Sequence, residues 1–148
     1  LNGGKRTQTI DLSDRRDLEL LHAEIAKADV LVTSARPRAL DALGLRPTAL
    51  FQANPALVWV AVTGYGSIGH DSNRVAFGDD AAAAGGLLDW SNPEAPRFLG
   101  DALADPITGL AAAAGALRAL RRGGGVLIDA SLARTAAAAA VMSGARAH

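Results

Sequence analysis

Cysteine is absent from the 148 residues. Its absence excludes disulfides, thiol nucleophiles and cysteine-ligated zinc. Histidine is scarce too: His22, His70 and His148 are scattered along the chain, so no metal site is expected. Neither sign of charge is in excess, with 15 Lys and Arg against 15 Asp and Glu. A nucleic-acid or anionic-membrane surface calls for a basic surplus, and neither partner is expected. Gly, Asp and Arg interrupt the alanine tracts, so no apolar run reaches the roughly 20 residues of a spanning helix. No signal peptide opens the chain. Together these absences predict a soluble, cytoplasmic protein. The length suits one domain with a sizeable core. The chain begins without Met and ends soon after an alanine-rich helical pattern. Both features predict a segment of something longer.

What the chain does contain is an alternation of strand and helix patterns. Thr7-Gln-Thr-Ile-Asp-Leu12 alternates and is β-branched, which predicts a strand. Ser13 is placed to cap a helix in which Leu18, Leu21, Ile25 and Ala28 recur at helical spacing. Ala28–Thr33 is a short apolar run, as in a buried parallel strand. Pro37–Leu43 reads as a short helix closed by Gly44, and Pro47 opens another that ends before Asn54-Pro55. Leu57–Thr63 is the strongest strand pattern, apolar on both faces. Asp79–Leu88 reads as a small helix and Asp89–Phe98 as a loop. Val126–Asp129 is a further strand, and Ser131 caps a last helix. This rhythm predicts an α/β fold, a Rossmann-like and mostly parallel sheet flanked by helices. Alanine tracts at residues 81–84, 111–116 and 136–140 have little bulk to bury, and are expected to pack on another chain or a missing segment.

In parallel sheets, ligands lie beyond the carboxyl ends of the strands. Those ends are predicted at Asp11-Leu-Ser13, Thr33-Ser-Ala-Arg36 and Thr63-Gly-Tyr-Gly66. No Gly-x-Gly-x-x-Gly loop follows the first strand, which argues against a standard dinucleotide site. The stretch Gly100-Asp-Ala-Leu-Ala-Asp-Pro-Ile-Thr-Gly109 stands out. Asp105 precedes Pro106 where a helical pattern starts, so Asp105 is expected at the N-cap and Pro106 at N1. Beside the positive end of a helix dipole, a carboxylate is well placed. There it serves either as a cap alone or as a nucleophile.

The order of motifs resembles the family III CoA-transferases, which include formyl-CoA transferase and the α-methylacyl-CoA racemases. The resemblance runs through Gly4-Lys-Arg-Thr-Gln-Thr-Ile-Asp-Leu12, Lys27-Ala-Asp-Val-Leu-Val32, Arg36-Pro37, Leu43-Gly-Leu45 and Asn54-Pro55. It continues through Val62-Thr-Gly-Tyr-Gly66, Gly69, Asp105-Pro-Ile-Thr-Gly109, Gly115 and Val126-Leu-Ile-Asp-Ala-Ser131. It implies that residues 1–148 are part of a large CoA-binding domain, with a small domain absent and an interlocked homodimer as the assembly. It implies acyl-CoA as substrate, a carboxylic acid as acceptor, and Asp105 as nucleophile. In the family that carboxylate attacks the thioester, and the mixed anhydride is resolved to an aspartyl-CoA thioester. An incoming carboxylic acid then collects the CoA. The resemblance also implies CoA contacts at Ile10, Asp11, Leu12 and Ser13, at Ser34, Ala35 and Arg36, and from Arg74 to Phe77.

The chain departs from the family pattern in places. Ser34-Ala35 replaces Asn-Phe, which removes a ring that would stack on adenine. Ala42 replaces an arginine, and Arg38, one helical turn away, is its expected substitute. Ser13 stands where lysine is frequent. The racemase branch of the family uses a His-Asp pair near Phe77-Gly-Asp-Asp80, where this chain has no His. Racemisation needs a second acid/base on the opposite face, so transfer is favoured over it. The alternatives are such a racemase, or a truncated, non-catalytic chain that binds CoA or a partner.

Overall fold

The structure, a computed structural model, describes residues 3–143. Its centre is β2 (Val58–Thr63), the middle strand of a three-stranded parallel sheet. β1 (Val30–Thr33) pairs on one side, Val30 opposite Val58. β5 (Val126–Ser131) pairs on the other, Val58 opposite Val126 and Thr63 opposite Ser131. Parallel neighbours need crossovers, and the helices supply them. α1 (Arg15–Ile25) precedes β1, while α2 (Pro37–Ala42) and α3 (Pro47–Ala53) link β1 to β2. α4 (Gly78–Ala84), a hairpin of β3 (Leu88–Asp89) and β4 (Arg97–Phe98), and α5 (Ala104–Leu120) lie between β2 and β5. α6 (Leu132–Met142) follows directly. Among the described residues, no helix is long and apolar enough to cross a membrane.

Successive side chains of β2 point to opposite faces, and both faces are covered. Trp59 packs with Ile25, Leu40, Leu45 and Leu50 from the α1–α3 side. Val58 and Val60 pack with Ala112 of α5 and Ala130 of β5. Each fully buried aliphatic side chain contributes about 1.5–3 kcal/mol, so β2 anchors the fold. The Trp59 indole also donates to the Thr33 hydroxyl at 2.9 Å, which ties β1 to it.

Several local expectations need correction. Residues 7–12 form no strand and are almost all exposed. Alternation suits a strand, but no described strand lies beside this segment to form a ladder. Its end is turned by local bonds instead: Asp11 Oδ1 accepts from the Ser13 hydroxyl at 2.7 Å and the Ser13 amide at 2.9 Å. Those two donors hold the Asp11 carboxyl below the usual carboxylate range. The cap of α1 is Asp14, not Ser13; its Oδ1 accepts from the amides of Arg16 and Asp17. β1 is an edge strand whose residues are at most partly buried, with Val32 64% exposed, so it is not the buried strand expected. α4 stops at Gly85, and Leu88 belongs to the hairpin.

The alanine tracts also differ from expectation. Ala81 and Ala82 of α4, Ala104 of α5, and Ala136 and Ala140 of α6 bury one another in a single cluster with Leu87 and Leu132. Small side chains let the three helices approach closely, so these faces are already covered within the chain. Ala111, Ala113, Ala114, Ala137 and Ala138 remain exposed. Thr108 is 1% exposed and its hydroxyl has no partner. Thr108→Val keeps the shape and removes that unpaired group. It is expected to hold stability or raise it by about 1 kcal/mol, read from denaturant midpoints. A clear loss would mean the hydroxyl is partnered.

Candidate active site

The carboxyl ends of all three strands meet one open cleft of about 600 Å3, a volume typical of small-molecule sites. Ser34, Ala35, Arg36 and Pro37 line it after β1, Val62, Thr63 and Gly64 at the end of β2, and Leu132 after β5. The loop Ser72–Phe77 closes one side, and Asp105 projects from the start of α5. Asp105 is the one carboxylate among the lining residues, and Arg36 and Arg74 are the two cations. Neither arginine has a carboxylate partner among the described residues, which leaves both guanidinium groups free for an anion.

Asp105 is not the N-cap of α5. Leu103 is, and Asp105 stands second in the helix, in its first turn. The cause is the preceding turn, in which the Asp105 amide donates to the Ala102 carbonyl at 2.9 Å. That bond starts the helix two residues earlier than the Asp-Pro pair suggests. The Asp105 carboxylate therefore caps nothing; it is exposed and accepts no hydrogen bond among the described residues. An acidic group in the first turn still sits at the positive end of the dipole.

Two further features crowd this carboxylate. Gly78 opens α4 directly against it: a Cβ there would lie 2.7 Å from Asp105 Oδ2 and 2.6 Å from the Ala102 carbonyl oxygen. Only glycine permits that approach. Ala102 itself has φ +47, the one positive value at a non-glycine among the described residues. Such a conformation costs on the order of 1–3 kcal/mol and persists only where the surroundings hold it.

The β2–α4 loop is fixed at its base and propped along its length. Asp129, on β5, accepts from the Thr63 hydroxyl at 3.0 Å and the Ser67 amide at 2.9 Å. The Arg134 guanidinium reaches the same carboxylate at 3.5 Å. Thr63 in turn accepts from the Gly66 amide at 3.0 Å. Farther along, the Arg74 guanidinium lies 4.4 Å from the centre of the Tyr65 ring, a cation–π contact that steadies it beside the cleft.

Of the residues expected at the site, the cleft gathers Ser34, Ala35, Arg36, Arg74, Phe77 and Asp105. Ile10, Asp11, Leu12 and Ser13 do not line it, and neither does Arg38. The Arg38 amide donates to Asn73 Oδ1 at 3.4 Å, which joins α2 to the Ser72–Phe77 loop. Val62 and Leu132 line the cleft but were not expected as contacts. Both adjoin predicted strand ends, a signal that was available. Asp129 and Gly78 gave no local signal, because each acts on residues distant in sequence.

Known proteins share this chain's sequence pattern and fold. Residues 1–147 match the model of CoA-transferase family III. The chain is 31% identical to the (R)-2-hydroxy-4-methylpentanoate CoA-transferase of Clostridioides difficile over 142 residues, which is 91% of this chain and 36% of that one. It is 36% identical to the succinyl-CoA–L-malate CoA-transferase beta subunit of Chloroflexus aurantiacus over 137 residues, 86% of this chain and 33% of that one. The chain thus spans about a third of the length of these curated relatives. Among solved structures, a CAIB/BAIF family protein from Brucella suis superposes with TM-score 0.81 at 29% identity, covering 95% of this chain and 39% of that one. A match along nearly all of its length, with the same fold, means that the chain belongs to CoA-transferase family III.

Proposed function

We propose that this chain carries the nucleophile and much of the CoA site of an enzyme that moves CoA from an acyl-CoA to a carboxylic acid. The observation that carries the reading is the exposed Asp105 carboxylate in a cleft it shares with Arg36 and Arg74. An Asp105 oxygen attacks the thioester carbonyl, the C–S bond breaks, and CoA leaves as thiolate. The thiolate attacks the aspartyl carbonyl of the resulting anhydride and expels the donor acid. The acceptor carboxylate then attacks the aspartyl thioester and releases the thiolate again. Attack of the thiolate on the acceptor's carbonyl gives the new acyl-CoA and frees Asp105. No proton or electron is consumed overall. Splitting the transfer in this way is covalent catalysis.

Arg36 and Arg74 suit the phosphates of CoA, while Ala35, Pro37, Val62 and Val75 give the cleft an apolar wall. The names of the relatives pair CoA with a hydroxy acid and with malate, which supports a carboxylic acid as acceptor here. Ile10, Asp11, Leu12, Ser13 and Arg38, which do not line the cleft, are the further CoA contacts that the family resemblance supports. His70 lies on the exposed loop, bonded to Asp71 and outside the cleft. That placement supports transfer over racemisation. Leu110 and Leu117 of α5 and Val141 and Met142 of α6 are exposed, which supports a second chain or further segments covering them, as in a homodimer.

Initial rates in the full-length protein test this reading. With an acyl-CoA donor and an isotope-labelled acid, labelled acyl-CoA should form and double-reciprocal plots should be parallel, the ping-pong pattern. Intersecting plots, or no labelled thioester with hydroxy acids or dicarboxylic acids, would count against it.

A further inference from the structure

We propose that Asp79 is a positioning residue for Asp105, acting through the left-handed backbone of Ala102. The proposal deepens the preceding reading and rests on Asp105 as the nucleophile. Asp79 is the second residue of α4, and its Oδ1 accepts from the Ala102 amide at 2.7 Å across 23 residues of sequence. The Ala102 carbonyl in turn accepts from the Asp105 amide at 2.9 Å. Ala102 is therefore gripped on both sides, by Asp79 through its N–H and by Asp105 through its C=O. An alanine at φ +47 returns to negative φ unless something holds it. The Asp79 carboxylate is the bond that holds it. The neighbouring Gly78 leaves room for the Asp105 carboxylate itself. The first turn of α4 thus sets both the backbone before Asp105 and the space its side chain occupies. If the Asp79 acceptor is lost, the Gly100–Leu103 turn relaxes and the first turn of α5 rotates. Asp105 then no longer points into the cleft.

Three variants of the full-length protein separate positioning from general stability. The readouts are the single-turnover rate of covalent adduct formation at Asp105 and the equilibrium affinity for free CoA. Asp79→Ala should slow adduct formation by about tenfold to a hundredfold, the scale of a 1 Å misplacement, with CoA affinity unchanged. Asp79→Asn keeps an acceptor oxygen of the same reach and should stay close to wild type. Adding Ala102→Gly to Asp79→Ala should restore most of the rate, because glycine holds positive φ without the clamp. Should Asp79→Ala fail to fold, Ala102→Val replaces it: a β-branched residue resists positive φ with Asp79 intact, and the adduct should form slowly. Unchanged adduct formation in Asp79→Ala, or in Ala102→Val, overturns the proposal. So does an Asp79→Asn protein as slow as Asp79→Ala, or a double variant that is no faster. A wild-type protein that turns over without an adduct at Asp105 defeats the nucleophile reading itself, and this proposal with it. An adduct in wild type together with an unaffected Asp79→Ala defeats the positioning role alone.

Discussion

Asp105→Asn is expected to fold normally and to lose CoA transfer by several orders of magnitude, the scale on which removal of a covalent nucleophile acts. An amide cannot attack the thioester to give an anhydride, so the first step has no substitute in the cleft. The stability cost is small for a stated reason. The carboxylate accepts no cap bond, and the loss is confined to its interaction with the α5 dipole, below about 1 kcal/mol. Asp101→Asn is the matched control. Asp101 is exposed and does not line the cleft, so its variant should turn over normally. Initial rates with an acyl-CoA and a carboxylic acid, on protein whose sequence is confirmed by mass, check both. Turnover retained in Asp105→Asn would remove Asp105 from the chemistry.

The second large effect is on folding. Gly123, Gly124 and Gly125 have φ +92, +73 and +70. They turn the chain from α5 into β5, and the Gly125 and Val126 amides both donate to the Leu57 carbonyl. A Cβ on Gly124 would land on the Ala56 carbonyl oxygen, which is backbone and cannot swing aside. Gly124→Ala combines the left-handed penalty with overpacking at the edge of the central sheet. The expected loss is roughly 3 kcal/mol or more, a large share of the stability of a typical domain. Gly123→Ala bears only the conformational part, about 1–2 kcal/mol, because nothing lies within 4 Å of its Cβ. Urea denaturation of the two variants should separate them clearly. Equal losses would mean that the loop yields and the contact with Ala56 is not fixed.

Features of the fold set by local pattern were legible in the sequence. β2 is a continuous apolar run because the sheet is covered on both faces, and it stands at the centre as expected. Pro37, Gly44, Pro47 and Asn54 bound α2 and α3 because each restricts the backbone at its own position. Ser131 caps α6 as read, accepting from the Arg134 amide at 3.3 Å. Features that depend on a neighbour were not legible. Residues 7–12 have the alternation of a strand, but alternation does not provide a second strand to pair with. The alanine tracts looked unpartnered one at a time, yet those of α4 and α6 bury one another, and Ala112 of α5 packs on the sheet.

The site divides in the same way. Asp105, Arg36 and Arg74 were legible from the motif resemblance, and the strand ends from the parallel sheet rule. The exact start of α5 was not, since the Ala102 turn moves it ahead of the Asp-Pro pair. Asp79, Gly78 and Asp129 were invisible as site residues. Their partners lie 23 to 66 residues away, and glycine and aspartate are unremarkable in loops and first turns.

The proposed transfer runs through a covalent bond to one carboxylate, Asp105. The full-length protein should be mixed with an acyl-CoA, without acceptor, and quenched with hydroxylamine, which converts an aspartyl thioester or anhydride to a hydroxamate. After digestion, mass spectrometry should find the hydroxamate at Asp105 and leave Asp101 unmodified. A protein that turns over yet carries the hydroxamate on another residue, or on none, would contradict the assignment of Asp105 as the nucleophile.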